Sequence, residues 1–198
     1  VRRRAPLAAL ALALACAGGP APRDHYYRLE TPAPAPRPAP VFPGTVEVER
    51  FRADALTGGV RILHAPGAGT SELEPYAYHQ WADPPTILVQ TRLVDFLRAA
   101  QAAPLVVTPE LRARFDFAVH GRIARLELTT VQGGQRAVVE LEIAVTRQRD
   151  GAVLLQRVYR EERDAAAPGV APVVDAAGLA LGAIFERFLA DAQAEVPR

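Results

Sequence analysis

Phe115-Asp116-Phe117-Ala118-Val119-His120-Gly121-Arg122-Ile123-Ala124-Arg125-Leu126-Glu127-Leu128-Thr129-Thr130-Val131-Gln132-Gly133-Gly134-Gln135-Arg136-Ala137-Val138-Val139-Glu140-Leu141-Glu142-Ile143-Ala144-Val145 decides the fold. Alternation with period two puts Phe115, Phe117, Val119, Gly121 and Ile123 on one face of a strand. The apolar phase then jumps to Leu126 and Leu128, and a one-residue jump within a strand means a bulge, here near Ala124-Arg125. Gly133-Gly134 reads as a two-residue hairpin turn. That turn predicts Leu128 opposite Val139, Leu126 opposite Leu141, Ile123 opposite Ile143 and Gly121 opposite Val145. Its cost is Glu127 against Glu140, a like-charge pair that weakens the ladder.

Working outward, Asp150-Gly151 is the next turn, leading to a strand from Ala152 to about Glu162. Its facing is open between Val153, Leu155 and Tyr159 on one side and Leu154 and Val158 on the other. Upstream, Thr45 to Phe51 alternates as a half-buried strand, Leu56–Leu63 and Pro75–Gln80 read as two more, and Ala65–Gly69 is a turn-rich break. Tyr26, Tyr27 and Leu29 form a short strand before the Pro-rich Thr31–Pro43, an extended polyproline-like spacer or loop.

Asp83 before Pro84-Pro85 predicts an N-cap with proline in the first turn of a helix from about Pro84 to Gln101. A closing helix from about Val170 to Ala192 places Val174, Ala177, Leu181, Ile184, Phe185 and Phe188 on one side. Gly178, Ala180, Gly182 and Ala183 keep part of it thin. Gly178-Leu179-Ala180-Leu181-Gly182 resembles a membrane dimer motif, but Asp175 and Glu186 bracket a stretch too short to span a bilayer. Close packing on the sheet is expected of it, with a subunit contact as the other use. The sum is an α+β fold in a single domain: a mixed or antiparallel sheet with a long hairpin meander in the C-terminal half, and two main helices packed on one face.

Ahead of this domain, Arg2-Arg3-Arg4, an apolar run from Ala5 to Ala15 and then Cys16 have the layout of an export signal. The run falls short of the roughly 20 residues a span needs. Val1 in first place is what an alternative start codon would give. Cys16 is the one cysteine of the chain, so it has no intramolecular disulfide partner. Lipidation gives it a role. A lipoprotein signal usually carries Leu three residues before the cysteine, where this chain has Ala13 and then Leu14. Ala13-Leu14-Ala15 also fits ordinary cleavage before a free Cys16. The expected organisation is a signal peptide over residues 1–15, a lipidated tether over 16–25 and the domain over 26–198.

Composition excludes several chemistries. The chain has no Lys, Asn or Met, and all 23 basic residues are Arg, a bias expected of GC-rich bacterial DNA. Without lysine there is no P-loop lysine and no Schiff base. Ser71 is the single serine, and Gly69-Thr70-Ser71-Glu72-Leu73 is not a nucleophile elbow. His25, His64, His79 and His120 share no metal-ligand spacing. No catalytic residue, cofactor or metal site is therefore expected. Loss of the signal leaves 20 Arg against 22 acidic residues, a formal −2, with no basic stripe for nucleic acid.

Tyr76, Tyr78 and Trp81 sit on a strand entering a helix, where aromatics serve as core or line an apolar lipid groove or subunit interface. Both readings stay open. Tyr26-Tyr27-Arg28-Leu29, Tyr76-Ala77-Tyr78-His79-Gln80-Trp81-Ala82-Asp83-Pro84-Pro85, the long hairpin and the Ala-rich final helix resemble the ABC-type transport auxiliary lipoproteins, the paraquat-inducible PqiC-type proteins among them. That resemblance covers residues 16 to 192. It implies a non-enzymatic outer-membrane lipoprotein facing the periplasm and assembling as a homo-oligomer. Such a protein works with an MCE-domain (mammalian cell entry) protein and an ABC permease and ATPase that move phospholipid or another hydrophobic lipid between membranes. The alternative is a general structural lipoprotein assisting a secretion or assembly complex. Labelled palmitate should enter the wild-type protein, and Cys16→Ala should abolish the label and move the protein to the soluble fraction. A labelled Cys16→Ala protein would place the anchor elsewhere.

Overall fold

Residues 22–67 and 69–197 are described by the structure, a computed structural model, so Cys16 and the export signal lie outside the described residues. Eight strands and two helices follow one another as β1 (His25–Tyr27), β2 (Thr45–Val48), β3 (Arg61–Ala65), β4 (Glu74–Trp81), α1 (Pro85–Ala99), β5 (Leu105–Val107), β6 (Phe117–Val131), β7 (Gly134–Arg147), β8 (Val153–Asp164) and α2 (Val170–Glu195). All strands join one mixed sheet. β6, the longest, pairs with β7 along one edge and shares the other, taking β2 in parallel at Phe117–Val119 and β3 in parallel at Glu127–Thr129. β4 and then β1 extend the sheet beyond β3, β5 beyond β2, and β8 beyond β7.

The central hairpin has its bulge where the phase jump puts it: Ile123 pairs with Leu141 and Arg125 with Glu140, which leaves Ala124 extra. Its turn differs from expectation. Val131 pairs with Gly134, so the two loop residues are Gln132 and Gly133, with Gly133 at φ +91°. The register is therefore displaced by two residues, setting Leu128 opposite Ala137, Leu126 opposite Val139 and Gly121 opposite Ile143. An even displacement keeps every side chain on its face. It also sets Glu127 opposite Val138 and Arg125 opposite Glu140, replacing the repulsive Glu127/Glu140 pair with an attractive one.

Leu155 and Tyr159 face inward from β8, leaving Val158 outside and 61% exposed. Phe117, Val119, Ile123, Leu126 and Leu128 on this inner face belong to the same core as the buried side chains of both helices. Phe96 of α1 and Phe185 of α2 touch edge to face at 5.3 Å, so the helices close one layer over the sheet. Gly121 leaves the space that the Phe51 ring fills, since a Cβ there would lie 2.1 Å from it.

Three local expectations are corrected. Asp83 does not cap α1: Pro84 holds the N-cap position without a side-chain bond. The two prolines remove two of the N–H groups that a helix start leaves unpaired, and the Ile87 amide bonds the Pro84 carbonyl. The strand expected over Leu56–Leu63 begins at Arg61, because the Asp54 carboxylate accepts from the Leu56 and Thr57 amides and the Thr57 hydroxyl and closes a turn. The thin face of α2 packs on the Pro-rich segment rather than on the sheet. A Cβ at Gly178 would lie 1.9 Å from the Glu30 carbonyl oxygen, and one at Gly182 would lie 3.0 Å from Pro32.

Thr31–Pro43 is thus a strap along the helix layer. At its start Glu30 accepts from Arg92 of α1 at 2.6 Å; further on, the Arg37 amide donates to Ala100 and its guanidinium to Gln193 at 2.8 Å. The spans agree: seven residues of extended chain at 3.1 Å and fifteen of helix at 1.5 Å both cover about 22 Å. Phe42, fully buried, ends the strap with its amide bonded to Ala102.

Gly178→Ala should lower stability. Alanine gains about 1 kcal/mol of helix propensity, but the overlap with backbone is worse than typical overpacking of 1–3 kcal/mol. A net loss of about 2 kcal/mol, or roughly 4–8 °C in Tm, is expected. Calorimetry showing an unchanged or higher Tm would mean that the strap does not sit on α2.

Candidate functional site

The two segments Tyr26–Leu29 and Tyr76–Pro85 meet in space. β1 lies parallel to β4 with His25 beside His79, Tyr26 beside Gln80 and Tyr27 beside Trp81. Trp81 is 3% exposed and belongs to the core. Tyr76 is half-buried and packs against that core, while Tyr78 is 44% exposed. The three candidate aromatics are therefore divided between interior, rim and surface.

A bulge makes the division. From Arg61 to Leu63 β3 advances two residues while its partner β4 runs from Gln80 back to Pro75. The extra β4 residues turn Tyr76 and His79 toward the same side. There the His25 and His79 rings stack at 5.0 Å and 13°, the Tyr27 hydroxyl meets His79 Nδ1 at 2.8 Å, and Tyr76 lies 4.4 Å from the His64 ring. Gln135 of β7 reaches the Tyr76 hydroxyl at 3.5 Å and accepts the Gly169 amide just before α2. Histidines far apart in sequence so gather around one end of the core, a grouping that no local spacing could reveal.

Its electrostatics favour neutrality. Burial lowers the His79 pKa, and the neighbouring His25 lowers it further; burial raises those of Tyr27 and Tyr76. Glu74 stands 3.3 Å from His64. No group of three or more His, Cys, Asp or Glu among the described residues is placed to hold a metal ion. The cluster is an aromatic clasp holding the first strand to the sheet.

A second polar line crosses the outer face: Glu49 lies 2.9 Å from His120 Nδ1, and His120 Nε2 lies 2.9 Å from the Thr146 hydroxyl. Carboxylate, imidazole and hydroxyl in sequence suggest nucleophile activation, beside a groove of about 300 Å³ that Arg52, Arg122 and Glu142 help to line. Acyl transfer also needs donors aimed at an oxyanion. Thr146 is on β7, paired on both sides by β6 and β8, so the amides around it serve the ladder. What the line does is clamp the chain after β2 to β6 and β7.

Protonating the clasp would load two stacked imidazoles with like charge. Because the His79 pKa is lowered in the fold, the unfolded chain, with an ordinary value near 6.5, binds the proton first. His79 thus favours the fold fully above that value and progressively less as pH falls through it. Wild-type Tm should drop relative to that of His79→Phe between pH 7 and pH 5. A pH-independent difference between the two proteins would remove His79 from the acid response.

The fold is shared with solved structures. Protein XCC0632 from Xanthomonas campestris, of family DUF330, is 22% identical with a TM-score of 0.74, covering 83% of this chain and 92% of that one. The crystal structure of a second, uncharacterized protein is 16% identical with a TM-score of 0.65, covering 89% of this chain and 100% of that one. No curated protein matches the sequence. The family model for the ABC-type transport auxiliary lipoprotein component matches residues 27–187, from the clasped first strand to the last helix, and the chain belongs to that family.

Proposed function

We propose that this protein is a membrane-anchored, periplasm-facing and non-enzymatic component of an MCE/ABC-type system that moves phospholipid or another hydrophobic lipid between the inner and outer membranes. The family match over residues 27–187 carries the reading. Lipidated Cys16 would hold it to the outer membrane, and the domain would serve as a docking collar, assembled as a homo-oligomer. Its partners would be an MCE-domain protein and an ABC permease with its ATPase. The clasp supports this role, because a pull on the tether meets β1 first, and β1 is held by ladder bonds, stacked rings and a core tryptophan beside it.

None of the described helices is long and apolar enough to cross a membrane, so attachment through Cys16 would do what no helix here does. An acyl chain contributes about 0.8 kcal/mol per buried CH₂, and more than one chain gives stable anchoring.

Affinity purification from cross-linked membranes should recover an MCE-domain protein together with a permease and an ATPase. Recovery of an unrelated outer-membrane machine in their place would overturn the lipid-transport assignment in favour of a secretion or assembly role.

A further inference from the structure

We infer that the outer face of the β1–β4 edge is a footing on the bilayer itself, a tyrosine and arginine surface that rests on anionic lipid headgroups. Strand pairing puts Arg61, Gln80 and Tyr26 in one row across β3, β4 and β1. The row points away from the core, because the neighbours Ile62 and Trp81 are buried on the opposite face. Tyr26 is 66% exposed and Tyr78, two residues from Gln80, is 44% exposed. Arg23 and Arg28 flank β1 and are exposed, with Asp24 between them. Among the described residues, Arg23, Arg28 and Arg61 make no ion pair, unlike Arg92, Arg136 or Arg157 elsewhere on the surface.

That chemistry fits a membrane interface better than it fits water. Tyrosine has an apolar ring and a polar tip, the combination enriched at headgroup level. Arginine buries its stem and keeps its charge among phosphates. Geometry names the occupant. Cys16 lies ten residues before Tyr26, a reach of at most about 35 Å. A domain of this size is about 40 Å across. A tether shorter than the domain's own width brings the edge bearing β1 to the bilayer before any other.

The inference rests on the Cys16 anchor for this geometry, yet its test dispenses with the anchor. Cys16→Ala protein, recovered from the periplasm, is mixed with vesicles of phosphatidylcholine alone or of phosphatidylcholine and phosphatidylglycerol in equal parts. It should sediment with the anionic vesicles. Arg61→Gln should weaken that binding about fivefold, and Tyr26→Ser with Tyr78→Ser should weaken it further. In a Tyr26→Trp protein, indole emission should shift to the blue on adding anionic vesicles, a readout independent of any effect on stability. Failure to sediment with either vesicle, or emission unmoved by lipid, would overturn the footing. A wild-type protein that takes up no palmitate would overturn the anchor alone, so the two failures are distinguishable.

Discussion

One strand holds this structure together. β6 satisfies β7 along one whole edge, while its other edge is divided between β2 at one end and β3 at the other. A straight strand of 15 residues would carry its twist steadily and could not keep both ends under one helix layer. The bulge at Ala124 re-phases it, so that Ile123 before the bulge and Leu126 after it both face inward. Every other element is placed with respect to that bend: α2 over β7 and β8, α1 against β2 and β5, and the β3–β4–β1 group beyond its far end.

Burial on two faces follows from the same constraint. The helices cover the inner face, yet Leu63, Ala65, Glu127, Thr129 and Val138 on the other face are also buried. Glu127, there at 5% exposure, is hydrogen-bonded to Arg125, two residues earlier on the same face. Glu47, at 7% exposure, has its pKa raised by burial first and by Glu49 and Glu110 after that. The Arg125 guanidinium offsets the burial of the Glu127 carboxylate, while burial and the acidic neighbours of Glu47 disfavour its charged form.

The described N-terminal segment fastens itself to three parts of this fold. Its clasp, its strap and its outward tyrosine row are consecutive pieces of one chain, and each engages a different surface: the inner rim through His25 and Tyr27, α2 through Glu30 and Pro32, and solvent through Tyr26. A load applied ahead of β1 is thereby spread over β4 and both helices before it reaches the hairpin.

By itself the sequence determined whatever depends on neighbours along the chain. Period-two alternation gave the strands, the phase jump gave the bulge, the proline pair gave the start of α1, and one thin apolar helix was legible from its glycines and alanines. The tertiary structure decided whatever depends on partners distant in sequence. The hairpin slid by two residues because cross-strand charge, invisible to a turn motif, sets Arg125 rather than Glu127 against Glu140. Gly178 and Gly182 met Glu30 and Pro32 of the strap, 148 and 150 residues earlier in the chain, which no helical periodicity identifies. Tyr76, Tyr78 and Trp81 parted company because a bulge in β4 rotates one stretch of strand relative to the next. His25 reaches His79 through the parallel pairing of β1 with β4, and His64 reaches Tyr76 through the antiparallel pairing of β3 with β4; strands without a tight turn between them leave no local mark of which partner they choose.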